Sequence, residues 1–214
     1  GRPATSVWPT SPMCVTSRNG VAPSVRVTIS GGPSRWSFFS GPAWELDPAS
    51  GEYYLHLFSR KQPDLNWENP EVFADLERTL RFWLDRGVDG FRIDVAAGMV
   101  KDLSAPYRPA AQIPWWPLPE DGSHPLFDRD GVHAVYRRWR ALLDSYDPPR
   151  FAVAEAGVTA SRRPAYAASL GQAFNFQMQD ADWSAHSFGW AIDAGLADEA
   201  AEAIKLTEHE EPKP

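Results

Sequence analysis

The run from Gly87 to Val95, Gly-Val-Asp-Gly-Phe-Arg-Ile-Asp-Val, constrains the fold more than any other stretch of the chain. Its side chains alternate as they do in a β-strand, with Phe91 and Ile93 on one face and Arg92 and Asp94 on the other. Helical patterns lie before and after this strand. The sequence therefore predicts one strand of an α/β sheet that is buried on both faces.

The two charged residues of this strand admit two interpretations. A buried carboxylate is costly unless it is paired, so Arg92 is expected to pair with Asp94 and to hold it ionised. An ionised carboxylate at the C-terminal end of a parallel strand suits a catalytic nucleophile. The spacing fits a structural Arg–Asp pair equally well, and the strand alone does not decide between them.

Composition excludes several classes of protein. The 214 residues are 43% hydrophobic, which is enough for one good core, and no apolar run is long enough to span a membrane. The net charge of −7 comes without a basic stripe, so nucleic acid is not an expected partner. Cys14 stands alone, which excludes an internal disulfide and favours a reducing compartment, so a cytoplasmic location is predicted.

Predicted helices and strands alternate along the second part of the chain. Helical patterns cover 69–86, 130–146, 162–170 and 185–206, and strand patterns cover 88–95, 150–156 and 172–177. This order implies parallel βαβ units. The long connection 97–128 contains Trp115 and Trp116, which either wall a pocket or cover the helices of the sheet.

A second carboxylate, Glu155, ends the strand 150–156 just as Asp94 ends the strand before it. Neighbouring parallel strands lie about 4.8 Å apart, so both carboxylates are expected on one rim of the sheet. Carboxyl groups roughly 5–5.5 Å apart suit a retaining glycosidase. Other chemistries use paired carboxylates too, but neither strand end has a His or a third carboxylate beside it, so no metal site is predicted.

Several runs together resemble the alpha-amylase family, glycoside hydrolase family thirteen, and within it the α-glucosidase and oligo-1,6-glucosidase group. The matching runs are Gly51–Phe58, Gln62–Pro70, Phe82–Val95, Val153–Ala156 and Gln172–Phe176. The resemblance covers about residues 36–198. It implies a (β/α)8 TIM barrel with an inserted domain, and hydrolysis of α-linked glucosides with retention of configuration.

The resemblance also implies roles for individual residues. Asp94 would be the nucleophile that forms a covalent glucosyl intermediate, and Glu155 would protonate the leaving oxygen and then activate water. Arg92 would hold Asp94 charged, while the apolar strand around Glu155 would give that carboxyl different surroundings. Val95 in place of Thr resembles enzymes that accept α-1,6 links. The expected partner is an α-glucoside oligosaccharide, with no cofactor and no obligate protein partner.

The chain departs from the family pattern in several places. The motifs Asp-x-Val-x-Asn-His and Asn-His-Asp do not occur, and the acid motif reads Ala154-Glu-Ala-Gly157 where Gly-Glu-Ala-Trp is usual. The predicted organisation is an irregular, family-unlike segment (1–35), part of an inserted domain (36–68), a partial barrel with about strands four to six (69–206) and a charged tail (207–214). Three strands cannot close an eight-stranded barrel, so we expect a fragment with incomplete catalytic machinery and little or no turnover.

Three alternatives to the hydrolase stay open. A transglucosylating isomerase similar to trehalose synthase belongs to the same family, although the run Leu65–Glu68 resembles the hydrolases better. A non-catalytic amylase-like module would tend to lose the catalytic pair, and both carboxylates are present here. An inert remnant is the third alternative. The sequence leaves linkage, chain length and calcium dependence undetermined.

Overall fold

The fold was obtained as a computed structural model, which describes residues 26–27, 37–39, 41–102 and 118–208. The chain divides into two compact units between Asn66 and Trp67. Apart from residues 26–27, the predicted irregular segment 1–35 lies outside the described residues. Trp115, Trp116 and residues 209–214 of the predicted tail lie outside them as well. The assignment of the first unit to an inserted domain stays a prediction.

The first unit contains a small antiparallel sheet. Its strands are β1 (Arg26–Val27), β2 (Trp44–Asp47) and β3 (Glu52–Leu55), in the order β1-β3-β2. The turn between β2 and β3 is closed by a hydrogen bond, which the Gly51 N–H donates to the Asp47 carbonyl at 2.8 Å. Gly51 has φ +73°, a conformation that glycine adopts without strain.

The second unit contains a parallel sheet with the strand order β4-β5-β6. Its strands are β4 (Gly90–Ile93), β5 (Phe151–Ala154) and β6 (Gln172–Ala173). Its helices are α1 (Pro70–Leu84), α2 (Val132–Asp144), α3 (Arg163–Leu170), α4 (Phe176–Asp180) and α5 (Ala185–Glu208), with a 3-10 turn at Ala96–Gly98. The predicted parallel α/β arrangement is confirmed, and the described strands form an open sheet and not a closed barrel.

Helix α1 begins and ends at the residues that the sequence marks. The Asn69 side chain accepts a hydrogen bond from the Glu71 N–H at 2.9 Å, and Pro70 occupies the first helical position. After the helix, Gly87 has φ +90° and donates to the Leu84 carbonyl at 2.9 Å. The residues that α1 buries repeat at helical spacing: Val72, Leu76, Leu80 and Leu84.

Helix α2 supplies much of the core of the second unit. Its buried apolar and aromatic residues form one stripe along the helix: Val132, Val135, Tyr136, Trp139, Leu142 and Leu143. The Tyr136 ring lies 6.0 Å from the ring of Tyr166 on α3, between ring centroids. Burying one large apolar side chain stabilises a fold by about 1.5–3 kcal/mol, so this stripe anchors α2 firmly.

The prediction of a strand across residues 172–177 is wrong for most of that range. β6 ends at Ala173, and α4 begins at Phe176. The Asn175 side chain accepts a hydrogen bond from the Gln177 N–H at 3.1 Å, as an N-cap residue does. This capping bond favours a helix over the extended backbone that the aromatic alternation suggests.

Candidate active site

The two candidate carboxylates lie side by side at the C-terminal ends of β4 and β5. The register pairs Ile93 with Ala154, and Asp94 and Glu155 each follow one of these residues. Backbone hydrogen bonds continue past the strands. The Glu155 N–H donates to the Ile93 carbonyl at 3.0 Å, and the Ala96 N–H donates to the Glu155 backbone carbonyl at 3.0 Å. The predicted placement of both carboxylates on one rim is therefore confirmed.

Arg92 contacts both carboxylates. One terminal nitrogen of its guanidinium lies 2.7 Å from Asp94 Oδ1, and the other lies 2.5 Å from Glu155 Oε1. The pairing with Asp94 was expected, and the contact with Glu155 was not. The hydrogen bond with Glu155 raises the pKa of Arg92, burial opposes this to a smaller degree, and the nearby Asp94 charge adds to the rise. Arg92 therefore remains a cation between two carboxylates.

The polar face of β4 is open to water. The side chains of Arg92 and Asp94 are each 48% exposed and that of Glu155 is 25% exposed, whereas Ile93 on the opposite face is buried. The prediction that β4 is buried on both faces is wrong for this face. Charged groups at an open rim keep their hydration, so the sheet needs no apolar cover there. The expected pair of Arg92 with Asp94 is present, and the contact of Arg92 with Glu155 is an addition that the sequence did not predict.

Val95 adopts a strained backbone conformation between the two carboxylates. Its φ of 47° and ψ of 45° are left-handed, which costs a β-branched residue about 1–3 kcal/mol. In this conformation the Val95 N–H donates to Glu155 Oε2 at 3.1 Å. Backbone strain of this kind concentrates at functional sites. The sequence gives no sign of it, because Val favours extended backbone.

Two buried residues donate hydrogen bonds to the carbonyls of the 3-10 turn Ala96–Gly98. The Tyr136 hydroxyl donates to the Ala96 carbonyl at 2.5 Å, and the Asp128 N–H donates to the Ala97 carbonyl at 2.8 Å. Tyr136 and Asp128 are both fully buried. Burial raises the pKa of Tyr136, so its hydroxyl stays protonated and remains a donor.

Asp128 is itself held by a cation and a hydroxyl. The Arg162 Nε lies 2.9 Å from Asp128 Oδ2, and the Tyr166 hydroxyl donates to Oδ1 at 2.8 Å. Arg162 also contacts Asp130 at 2.6 Å. Burial opposes ionisation of Arg162, but its bonds with these carboxylates raise its pKa overall. Sequence reasoning missed this cluster, and no spacing in the sequence marks it, because its members come from the loop before α2, from the residue that precedes α3 and from α3 itself.

Two kinds of feature are absent from the described residues. In the described ranges, no group of three or more His, Cys, Asp or Glu side chains could hold a metal ion. None of the helices described is both long enough and apolar enough to cross a membrane. The cytoplasmic location stays a prediction.

Comparison with known proteins assigns this arrangement to a family. Residues 21–210 match the catalytic domain of alpha-amylases. The chain belongs to the alpha-amylase family. The family resemblance carried by the sequence runs is thereby confirmed, over most of the chain.

Curated relatives and solved structures show which enzymes of the family this chain is similar to. The chain is 45% identical to the oligo-1,6-glucosidase of Parageobacillus thermoglucosidasius over 117 residues, which is 54% of this chain and 20% of that protein. It is 42% identical to the α-glucosidase of Culex pipiens over 124 residues, 56% of this chain and 21% of that protein. The crystal structure of trehalulose synthase from Pseudomonas mesoacidophila MX-45 superposes with a TM-score of 0.61 and 30% identity, over 77% of this chain and 31% of that chain. The chain thus spans less than a third of the length of the relatives and solved structures compared here.

Proposed function

We propose that this chain carries the catalytic pair of a retaining α-glucosidase, which acts on terminal α-1,4 or α-1,6 glucosidic bonds of small oligosaccharides. The observation that supports this most is the meeting of Asp94 and Glu155 at neighbouring strand ends, with Arg92 in contact with both. A pair of carboxyl groups beside one sugar site is the requirement of retaining glycoside hydrolysis. The similarity to oligo-1,6-glucosidases and α-glucosidases supports the same chemistry.

The reaction assigns a separate step to each carboxyl group. An Asp94 oxygen attacks the anomeric carbon, and the bond to the leaving oxygen breaks as Glu155 delivers its proton there. Water then attacks the anomeric carbon and gives a proton back to Glu155, while the bond to Asp94 breaks. Arg92 orients both groups throughout. The product is glucose in the α configuration.

The presence of Val at position 95 is an argument for activity toward α-1,6 bonds. Val at this position resembles enzymes that accept such bonds, and one relative with 45% identity is an oligo-1,6-glucosidase. A comparison of isomaltose with maltose tests this preference, and equal or better hydrolysis of maltose would contradict it.

The turnover of the 214-residue chain itself is expected to be slow. Arg92 and Asp94 are about half exposed, so water screens the charges that should act on the transition state. The parallel sheet of the described residues has three strands, which leaves the sugar few walls to bind against.

Hydrolysis of p-nitrophenyl α-glucoside by the whole chain tests the proposal, with Asp94→Asn as the variant. Asp89→Asn is a matched control, because Asp89 lies just before β4 and its 82% exposed side chain pairs with Arg150 outside the site. We expect slow hydrolysis that falls to the uncatalysed rate in Asp94→Asn and persists in Asp89→Asn. Turnover that survives Asp94→Asn would contradict the assignment.

A covalent label tests the same assignment where steady-state turnover is very slow. A 5-fluoro α-glucosyl fluoride reacts with the nucleophile of a retaining enzyme and leaves a slowly hydrolysed ester on it. Peptide mass spectrometry should place the added sugar on Asp94. A label on another residue, or none with the folded chain, would count against Asp94 as the nucleophile.

A transglucosylating isomerase is the second candidate, because a trehalulose synthase superposes well on this chain. Product analysis with sucrose separates the two. Release of free glucose and fructose favours the hydrolase, and formation of an isomeric disaccharide favours the isomerase.

A further inference from the structure

We propose that Tyr136 is a positioning residue for the candidate active site. Its hydroxyl holds the carbonyl of Ala96, the residue that follows Val95. This restraint keeps Val95 in its left-handed conformation and its N–H on the Glu155 carboxylate. The inference rests on the proposed function, since it assumes that Glu155 delivers a proton.

The hydroxyl of Tyr136 has little freedom to point elsewhere. The side chain is fully buried in α2, and its ring lies 5.9 Å from the ring of Trp139 and 6.0 Å from that of Tyr166, between centroids. The hydroxyl meets the Ala96 carbonyl at 2.5 Å, and its other neighbour is the sulfur of Met99 at 3.6 Å. A rigid donor therefore fixes the position of the Ala96 carbonyl.

The Ala96 residue connects this donor directly to the candidate acid. Its carbonyl accepts from Tyr136, and its N–H donates to the Glu155 carbonyl at 3.0 Å. The preceding peptide N–H, that of Val95, donates to Glu155 Oε2 at 3.1 Å. Tyr136 thus acts on both the backbone and the side chain of Glu155 through one short turn.

The strain at Val95 explains why such a restraint is needed. With φ of 47°, an unrestrained Val would return to the extended region, because its branched side chain disfavours the left-handed one. That change would turn the Val95 N–H away from Glu155. The acid would then keep its contact with Arg92 but would lose its second anchor, and its orientation toward the leaving oxygen would no longer be fixed.

The test compares Tyr136→Phe with Tyr146→Phe in the whole 214-residue chain. The second variant also removes one tyrosine hydroxyl, but that hydroxyl contacts Asp85 at 2.7 Å and lies outside the site. The first measurement is hydrogen exchange of the residue 95 amide by NMR, well below the unfolding temperature of each variant. We expect exchange about tenfold faster or more in Tyr136→Phe, and unchanged in Tyr146→Phe.

The second measurement compares two substrates that differ in their need for a proton. Hydrolysis of isomaltose requires protonation of the leaving oxygen, whereas α-glucosyl fluoride depends on it far less. We expect Tyr136→Phe to lower kcat on isomaltose by on the order of tenfold, with a much smaller effect on the fluoride. A residue that only stabilised the fold would change both rates equally or neither.

Each measurement has a result that would contradict the proposed role of Tyr136. An unchanged amide at residue 95, or equal losses on both substrates, would overturn the proposal. If the parent chain hydrolyses neither substrate and the fluorinated glucosyl fluoride leaves no label on Asp94, the proposed function fails. The amide measurement alone then decides whether Tyr136 holds the turn.

Val95→Gly provides a background that keeps the test valid if Tyr136→Phe folds poorly. Glycine adopts positive φ without strain, so the turn should depend less on its restraint. In this background the loss of the Tyr136 hydroxyl should accelerate exchange of the residue 95 amide by a smaller factor. An equal factor in both backgrounds would mean that Tyr136 does not act on the strained backbone.

Discussion

The buried ion pair between Arg162 and Asp128 should make a large contribution to the stability of the second unit. The Asp128 side chain is 1% exposed, and Arg162 approaches both of its carboxylate oxygens, at 2.9 and 3.3 Å. Arg162→Met keeps an unbranched stem without charge. Among the described residues, the Asp128 carboxylate would then keep the hydrogen bond from the Tyr166 hydroxyl at 2.8 Å and lose both contacts with the guanidinium. A buried carboxylate that loses its cation destabilises a protein by about 3–5 kcal/mol. Domains of this size have about 5–15 kcal/mol in total.

Asp130→Asn provides the matched control for this prediction. Asp130 contacts the same guanidinium at 2.6 Å, but its side chain is 75% exposed. Water screens such a pair, so its loss should cost less than about 1 kcal/mol. The two variants thus remove contacts of similar length from the same arginine and differ in burial.

Urea unfolding followed by far-UV circular dichroism measures both free energies by linear extrapolation. We also expect Asp128→Asn combined with Arg162→Met to recover part of the loss, because no unpaired charge then remains buried. Asn tolerates the positive φ of 54° at this position and keeps an acceptor for the Tyr166 hydroxyl. A cost for Arg162→Met no larger than that for Asp130→Asn would refute the reasoning, since burial would then not determine the value of the pair.

Two further predictions concern stability. Burial lowers the pKa of His133 in the folded chain, whereas its pKa in the unfolded chain is about 6.5. Above about pH 6.5 the imidazole is neutral in both states, so His133 does not reduce the free energy of unfolding there. The free energy of unfolding should fall as the pH drops from about 6.5 toward the folded-state pKa of His133, because the unfolded chain then binds a proton that the folded chain does not. Urea titrations at several pH values check this, and His133→Gln should reduce the slope. Gly90→Ala should cost about 1–3 kcal/mol, because the added Cβ would lie 2.5 Å from the Phe151 carbonyl oxygen, whereas Gly157→Ala has nothing within 4 Å and should stay within about 0.5 kcal/mol. Equal unfolding midpoints for the two glycine variants would contradict the steric argument.

Local signals in the sequence predicted the helices and the pair of strand ends well. Asn69 and Pro70 mark the start of α1 through a side-chain cap and a missing donor, and Gly87 marks its end through positive φ. These effects act between residues close in sequence, so spacing alone reveals them. The placement of Asp94 and Glu155 needed one more step, the rule that parallel strands present their C-terminal ends on one rim.

Contacts between distant residues could not be predicted in the same way. The bond from Arg92 to Glu155 joins residues that come together only through the register of β4 and β5. The alternation along β4 correctly identifies Arg92 and Asp94 as one face, but alternation cannot tell an open rim from a buried face. The left-handed Val95 was missed for a related reason. Its own preference is extended, and only tertiary contacts override it.

The backbone, more than the ion pairs, holds the candidate site together. Arg92 and Asp94 are each 48% exposed, and exposed ion pairs typically contribute about 0–1 kcal/mol, which is no more than the strain at Val95 costs. The ion pairs of Arg92 therefore cannot offset that strain alone. The remaining restraint comes from the hydrogen bonds that continue the parallel ladder past Ile93, and from the buried donors that bind the Ala96–Gly98 turn. Strands β4 and β5 and helix α2, which build the core, thus also orient the two carboxylates. Variants of the buried residues that bind the Ala96–Gly98 turn should therefore disturb the geometry of the site as much as variants of Arg92 do.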